Sequence, residues 1–178
     1  MKDLLSENEE YQQPSTAVPN AEHVEQMAFQ KLSALCARGE HCQHEMLEKM
    51  RRWVMDEQSQ AHVMERLVKG KYVDDERYAR AFVRDKILYN KWGRRKVEQA
   101  LRQKHIDATF ISEALGEVDA ESYVETLKPM LKQKRKSIKA KSDYELNMKL
   151  IKWALGRGFT MDVIRQCMTI DDEDEFLD

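Results

Sequence analysis

Aligning Ile106 with Phe159 places Phe110 and Ile111 on Val163 and Ile164, and Ala114 and Leu115 on Cys167 and Met168, with no gap. In both segments apolar residues fall at i, i+1, i+4 and i+5, which form one stripe on an α-helix and fit neither face of a strand. A chain that repeats a short amphipathic helix in one register is confined to tandem helical units.

The helix starts repeat as well. Ile106 and Phe159 precede the caps Asp107 and Thr160, and Ile111 and Ile164 lie four residues beyond those caps. Each set is a hydrophobic staple, an apolar residue ahead of the cap packing on the first turn. The device recurs at Val73, Asp74 and Tyr78, and at Val118, Asp119 and Tyr123. In the more diverged first copy, Val63 and Leu67 are expected to take the places of Ile111 and Leu115, and Gly70 to stop the helix. Middle helices compare too: Cys42–Met50 and Gly93–Leu101 both place an apolar residue eight positions after a cap. Ser142 with Glu145 forms a capping box in the third copy, ahead of the stripe Leu146, Leu150, Trp153 and Ala154.

The expected fold is all-α: three tandem three-helix repeats over residues 25–72, 73–118 and 119–170, in an elongated array open to curvature. Residues 1–24 read as a disordered lead and 171–178 as an acidic tail. A three-helix unit this short buries little surface alone, so neighbours stack through their apolar faces. Tyr78, Phe82, Tyr123, Leu127, Trp153 and Phe159 are expected to serve that core. Six Gly, three Pro and 35% charged residues agree with helix over sheet. No apolar run is long enough to span a bilayer, and the first residues lack the basic start and apolar stretch of a secretory signal. Three cysteines without paired spacing suit reduced thiols, so the expected location is the cytoplasm.

The net charge of −2 conceals a division. Residues 1–25 carry −5 and residues 171–178 carry −6, which leaves +9 on the body between them. A basic body between acidic ends suits attraction to a polyanion or an acidic protein surface; tails that serve solubility alone are the plainer alternative. Two basic patches stand out. Lys128, Lys132, Lys134, Arg135, Lys136, Lys139 and Lys141 crowd one short segment, which must face solvent or an anionic partner. Lys91, Arg94, Arg95 and Lys96 surround the helix start at Gly93. Cations oppose the macrodipole there, so either a phosphate or carboxylate sits against the backbone N–H groups or solvent screens the repulsion.

Signals for chemistry are absent: there is no nucleophile elbow, phosphate-binding loop or metalloprotease helix. Cys36, His41, Cys42 and His44 lack the spacing of a zinc site. The chain is therefore expected to be neither an enzyme nor a metal or cofactor protein.

The run YVDDERYARAFVRDKILYNKWGRRKVEQALRQKHIDATFISEAL, residues 72–115, resembles the central module of RecX proteins. GRGFTMDVI, residues 156–164, is similar to the end of the third module, and CQHEMLEKM, residues 42–50, to the first. His105 stands where that family often has Gly, and Cys42 where it often has Ser. The resemblance implies tandem three-helix repeats that bind the RecA recombinase and its filaments on single-stranded DNA and modulate, usually inhibit, recombinase activity in DNA repair and the SOS response. It also implies contact with single- or double-stranded DNA, and the expected state is a monomer away from membranes. Direct DNA binding as the main activity is the alternative.

Overall fold

The computed structural model describes residues 20–174, with side chains through residue 168. All regular structure among the described residues is helical, in three consecutive sets of three. The first set is α1 (Ala21–Cys36), α2 (Gln43–Arg52) and α3 (Glu57–Lys69). The second is α4 (Asp75–Leu88), α5 (Arg94–Gln103) and α6 (Ala108–Gly116), and the third α7 (Ala120–Ser137), α8 (Asp143–Gly156) and α9 (Met161–Asp174). In each set the first helix packs on the third, and the middle helix also packs on the third.

The middle helices end alike. Val54, His105 and Gly158 adopt positive φ at 56°, 55° and 91°, and the next residue returns its N–H five residues back: Met55 to Met50 O, Ile106 to Leu101 O and Phe159 to Ala154 O, each at 3.2 Å. This left-handed turn satisfies the last helical carbonyls and drives Met55, Ile106 and Phe159 into the core. Asp56 and Asp107 then cap the following helix.

That turn fixes the register of the first repeat one helical turn away from the sequence expectation. Met55 matches Ile106, so Gln60 and Met64, and not Val63 and Leu67, occupy the places of Ile111 and Leu115. Gln60 hides the match because it is polar at a core position. It is buried with its amide Nε2 donating to Met55 O at 2.7 Å, which satisfies the group without solvent. The other helix starts follow the staples: Val73, Tyr78, Ile106, Ile111, Tyr123, Phe159 and Ile164 are all buried.

Two boundaries differ. Helix α1 begins at Ala21, ahead of residue 25, because the Asn20 side chain accepts from Glu22 N–H at 3.4 Å and caps it. Residues 1–19 of the expected lead lie outside the described residues. Helix α9 runs past residue 170 to Asp174, into the acidic segment, and residues 175–178 lie outside the description.

Burial is unequally divided. Ala28, Leu32, Met46, Met50, Val63 and Leu67 belong to a core of the first repeat. The second and third repeats share one continuous core, with Ile87, Leu101 and Leu115 from one and Leu127, Leu150 and Phe159 from the other. Phe82 and Trp153 pack against it and are only partly buried.

The first and second repeats meet through Cys42, which is fully buried against the core of the second and third, and through polar groups. Cys42 precedes α2 but makes no side-chain cap; Asp75, at the start of α4, accepts instead from Gln43 N–H at 2.8 Å and from its Nε2 at 3.3 Å. Glu45 on α2 receives the Tyr78 hydroxyl at 3.1 Å, Lys104 Nζ at 2.5 Å and His41 Nδ1 at 2.7 Å. Burial pushes the Glu45 carboxyl up, but bonds from Lys104 and His41 outweigh it and hold the group below its ordinary range.

Candidate functional site

The basic patch at the start of α5 meets the end of α8. Gly93 N–H donates to Arg157 O at 2.9 Å and Arg95 N–H to Gly158 O at 3.0 Å. A Cβ on Gly93 would lie 2.2 Å from Gly158 C and Phe159 N, and one on Gly158 2.4 Å from Lys96 Cβ. Only a pair of glycines allows the two backbones to touch in this way.

The contact resolves the cost of three cations in the first turn of α5. The negative end of the α8 dipole lies against them, and a helix C-terminus favours cations. It also corrects the anion reading in part, because carbonyls of the chain itself occupy two of the N–H groups offered to a phosphate. Arg94 turns inward and donates to Leu115 O at 3.2 Å, while Lys91 and Arg95 are exposed.

Next to this contact, at the residue before Gly93, stands a cluster around Trp92. Lys96 Nζ lies 4.4 Å and Lys86 Nζ 5.1 Å from the centre of its ring, and Lys86 is also 5.2 Å from Phe82. Trp153 is the centre of another, with Arg157 Cζ at 5.3 Å and Lys134 Nζ at 5.8 Å. These distances are within reach of cation–π attraction, about 0.5–1 kcal/mol each at exposed sites. Met130, Gln133, Lys134, Lys136, Ser137, Trp153 and Arg157 line an open groove of about 570 Å³. The Nε atoms of Arg135 and Arg157 are buried without a hydrogen-bond partner.

The Lys128–Lys141 segment is thus divided. Helix α7 ends at Ser137, so Lys139 and Lys141 stand in the following turn: Lys139 O accepts from Lys149 Nζ at 2.8 Å, and Lys141 N–H donates to Glu145 at 2.8 Å. Lys128 is half-buried, Lys132 is exposed, and Arg135 donates to Asn147 at 3.4 Å. Of the basic residues of the segment, Lys134 and Lys136 line the Trp153 groove.

Sequence reasoning missed Lys86, Trp92 and Arg157, and assigned Phe82 and Trp153 to the core. A legible signal existed: Phe82 and Lys86, Trp92 and Lys96, and Trp153 and Arg157 are each four residues apart, the spacing that stacks side chains on a helix. Among Cys36, His41, Cys42 and His44, Cys42 is buried and its thiol pushed up to about 11 by burial, while His41 is engaged by Glu45. No group of three or more His, Cys, Asp or Glu among the described residues is placed to hold a metal ion, and no described helix is long and apolar enough to cross a membrane.

Stacked three-helix units, with aromatic and cationic side chains gathered along one joint, define a tandem helical-repeat protein. Residues 74–115 match the second three-helix domain of RecX and residues 121–168 the third, together just over half of the chain. The chain belongs to the RecX family. It is 29% identical over 140 residues to a regulatory protein RecX of Vibrio campbellii, covering 79% of this chain and 88% of that protein. A crystal structure of a regulatory protein RecX superposes with a TM-score of 0.76 at 19% identity, over 82% of this chain and 73% of the other. RecX from Lactobacillus salivarius gives 0.73 at 19% identity, over 83% and 96%. These structural likenesses concern the fold.

Proposed function

We propose that the chain is a non-enzymatic, cytoplasmic monomer that binds RecA filaments on single-stranded DNA and lowers their activity. The observation that supports this reading is the Gly93–Gly158 contact, next to which lie Trp92 with Lys96 and Arg157 with Trp153. A polymer of protein and DNA offers repeated acidic and phosphate surface, and adjacent repeats with cationic faces engage it at several points at once. The test adds purified protein to preformed RecA filaments and follows ATP hydrolysis and filament length. The expected result is slower hydrolysis and shorter filaments; folded protein that changes neither removes the proposal.

Direct binding to DNA is the second reading, favoured by the partly exposed Trp153 among Lys134, Lys136 and Arg157. A base stacked on an aromatic contributes about 1–3 kcal/mol and tolerates any sequence. If DNA is the main ligand, affinity falls log-linearly with salt, and the Lys132–Lys141 charges set the slope. If the filament is the ligand, binding persists at salt that strips the protein from bare DNA.

A further inference from the structure

Helix α8 is apolar on two faces. Leu146, Leu150 and Ala154 face the shared core, whereas Tyr144, Met148 and Leu155, at 76%, 48% and 40% exposure, lie on another side with half-buried Ile151 between them. Their spacing of i, i+4, i+7 and i+11 makes a second stripe along the helix. Tyr144 stands on an added turn, since α8 has 14 residues and α5 has 10.

The sister helices give the comparison. The turns that equate Leu101 with Ala154 put Arg95, Glu98 and Arg102 of α5 in the places of Met148, Ile151 and Leu155. Glu98 and Arg102 pair with each other at 2.6 Å, as on a solvated face. The same face is where a following repeat docks. The His44 ring on α2, in the place of Met148, lies 4.5 Å from His105 of the second repeat, and Arg95 N–H donates to Gly158 O of the third. Among the described residues no further repeat covers α8, yet it carries three apolar residues at places where α2 has only Leu47 and α5 has none. An apolar stripe left open where the sister helices are covered or charged marks a contact surface.

Charge sets the kind of partner. Glu45, five residues before Met50, receives Lys104 of the second repeat. Its counterpart, five residues before Ala154, is Lys149, and Lys152 is exposed one place past Ile151. The bridge has changed sign, so what covers α8 brings acidic groups beside an apolar ridge. A phosphate backbone has no such ridge.

We propose that the α8 face receives an acid-flanked amphipathic helix on the protein of the filament, seated where a fourth repeat would stack. Tyr144, Met148, Ile151 and Leu155 take its apolar ridge, and Lys149 and Lys152 its acidic flank. This rests on the filament reading and adds a protein contact separate from the Trp153 groove.

The test grafts the α5 surface onto α8: Met148→Arg together with Leu155→Arg. The melting temperature is expected to hold, because α5 carries arginine at both places. Binding to preformed RecA filaments, at salt that strips the parent from bare DNA, is expected to weaken at least tenfold, with the same rise in the concentration that slows ATP hydrolysis. Affinity for bare single-stranded DNA at low salt is expected to stay equal or rise. Tyr144→Ser, at the most exposed place, is expected to weaken filament binding about threefold. A parent that binds filaments and a folded double variant that binds equally well overturn this proposal and leave the filament reading standing; a parent that neither binds nor slows them removes both. Tighter filament binding by the arginine variant would make DNA the occupant, and a parent dimer that the arginines disperse would make it a second copy; either result overturns the proposal.

Discussion

The two joints of the chain use the same pair of elements in different ways. In each, the turn that ends one middle helix approaches the start of the preceding repeat's middle helix. At the joint of repeats two and three the facing residues are Gly93 and Gly158, and backbone bonds directly to backbone. At the joint of repeats one and two the corresponding residues are Cys42 and His105, each with a side chain. There Asp75 fills the α2 start, His44 and His105 rings lie 4.5 Å apart, and Glu45 gathers Lys104, Tyr78 and His41. Glycine closes one joint with backbone on backbone over a shared core; the other inserts only Cys42 into that core and is otherwise bridged by charged and polar side chains. Adjacent repeats of one chain therefore differ in how firmly they couple, and the firmer joint carries the candidate site.

The largest effect is expected from closing space at the glycine joint. Gly158→Ala adds a left-handed non-glycine residue, about 1–2 kcal/mol, to a steric overlap of about 1–3 kcal/mol. Gly93→Ala carries the overlap alone. Urea unfolding followed by circular dichroism should register a loss of about 3 kcal/mol for the first variant and somewhat less for the second; an unchanged midpoint would mean that the backbones do not touch.

Next comes Glu45→Ala, which strands Lys104, Tyr78 and His41 and should cost about 2 kcal/mol. Its pH signature has a definite sign. The Glu45 carboxyl is depressed in the folded chain, so its contribution is present above the unfolded carboxylate pKa and fades as pH falls through the lower folded value. Asp75 on the same joint is raised, chiefly by burial, and so works in the opposite direction, favouring the fold as pH falls. Acid unfolding of Glu45→Ala compared with the parent isolates the Glu45 part: the difference between the two should shrink toward low pH.

A smaller gain is expected from Val54→Gly. Val54 sits at φ 56° and is 89% exposed, so a β-branched residue is strained there with no packing to lose. Relief should add about 0.5–1 kcal/mol, read as a rise in melting temperature. Gly116→Ala gives the smallest shift, a stabilisation of about 0.5 kcal/mol, since the added Cβ meets nothing within 4 Å at the end of α6. It also serves as the control for glycine replacement away from a joint.

Much of the fold was legible because its devices are local. Asp74 and Asp107 with their flanking apolar residues announce helix starts within five residues, and the Ile106–Phe159 alignment needs no knowledge of contacts. The first repeat's register was hidden because Gln60 fills a core place by bonding to Met55, which no hydrophobic pattern displays. The site was legible only in part. Gly93 and its basic neighbours stand out in sequence, but the partner that makes them tolerable is Gly158, distant along the chain and visible only once repeats stack. An aromatic on an apolar stripe such as Trp153 reads as core, and no sequence pattern displays its half-burial beside Arg157.

Native-state hydrogen exchange across a urea series measures the difference between the joints most directly. With one core spanning repeats two and three and a polar joint before them, amides of α4 to α9 should open together, and those of α1 to α3 at a separate urea dependence. A single opening shared by all nine described helices would contradict two unequal joints, as would α7 to α9 opening apart from α4 to α6.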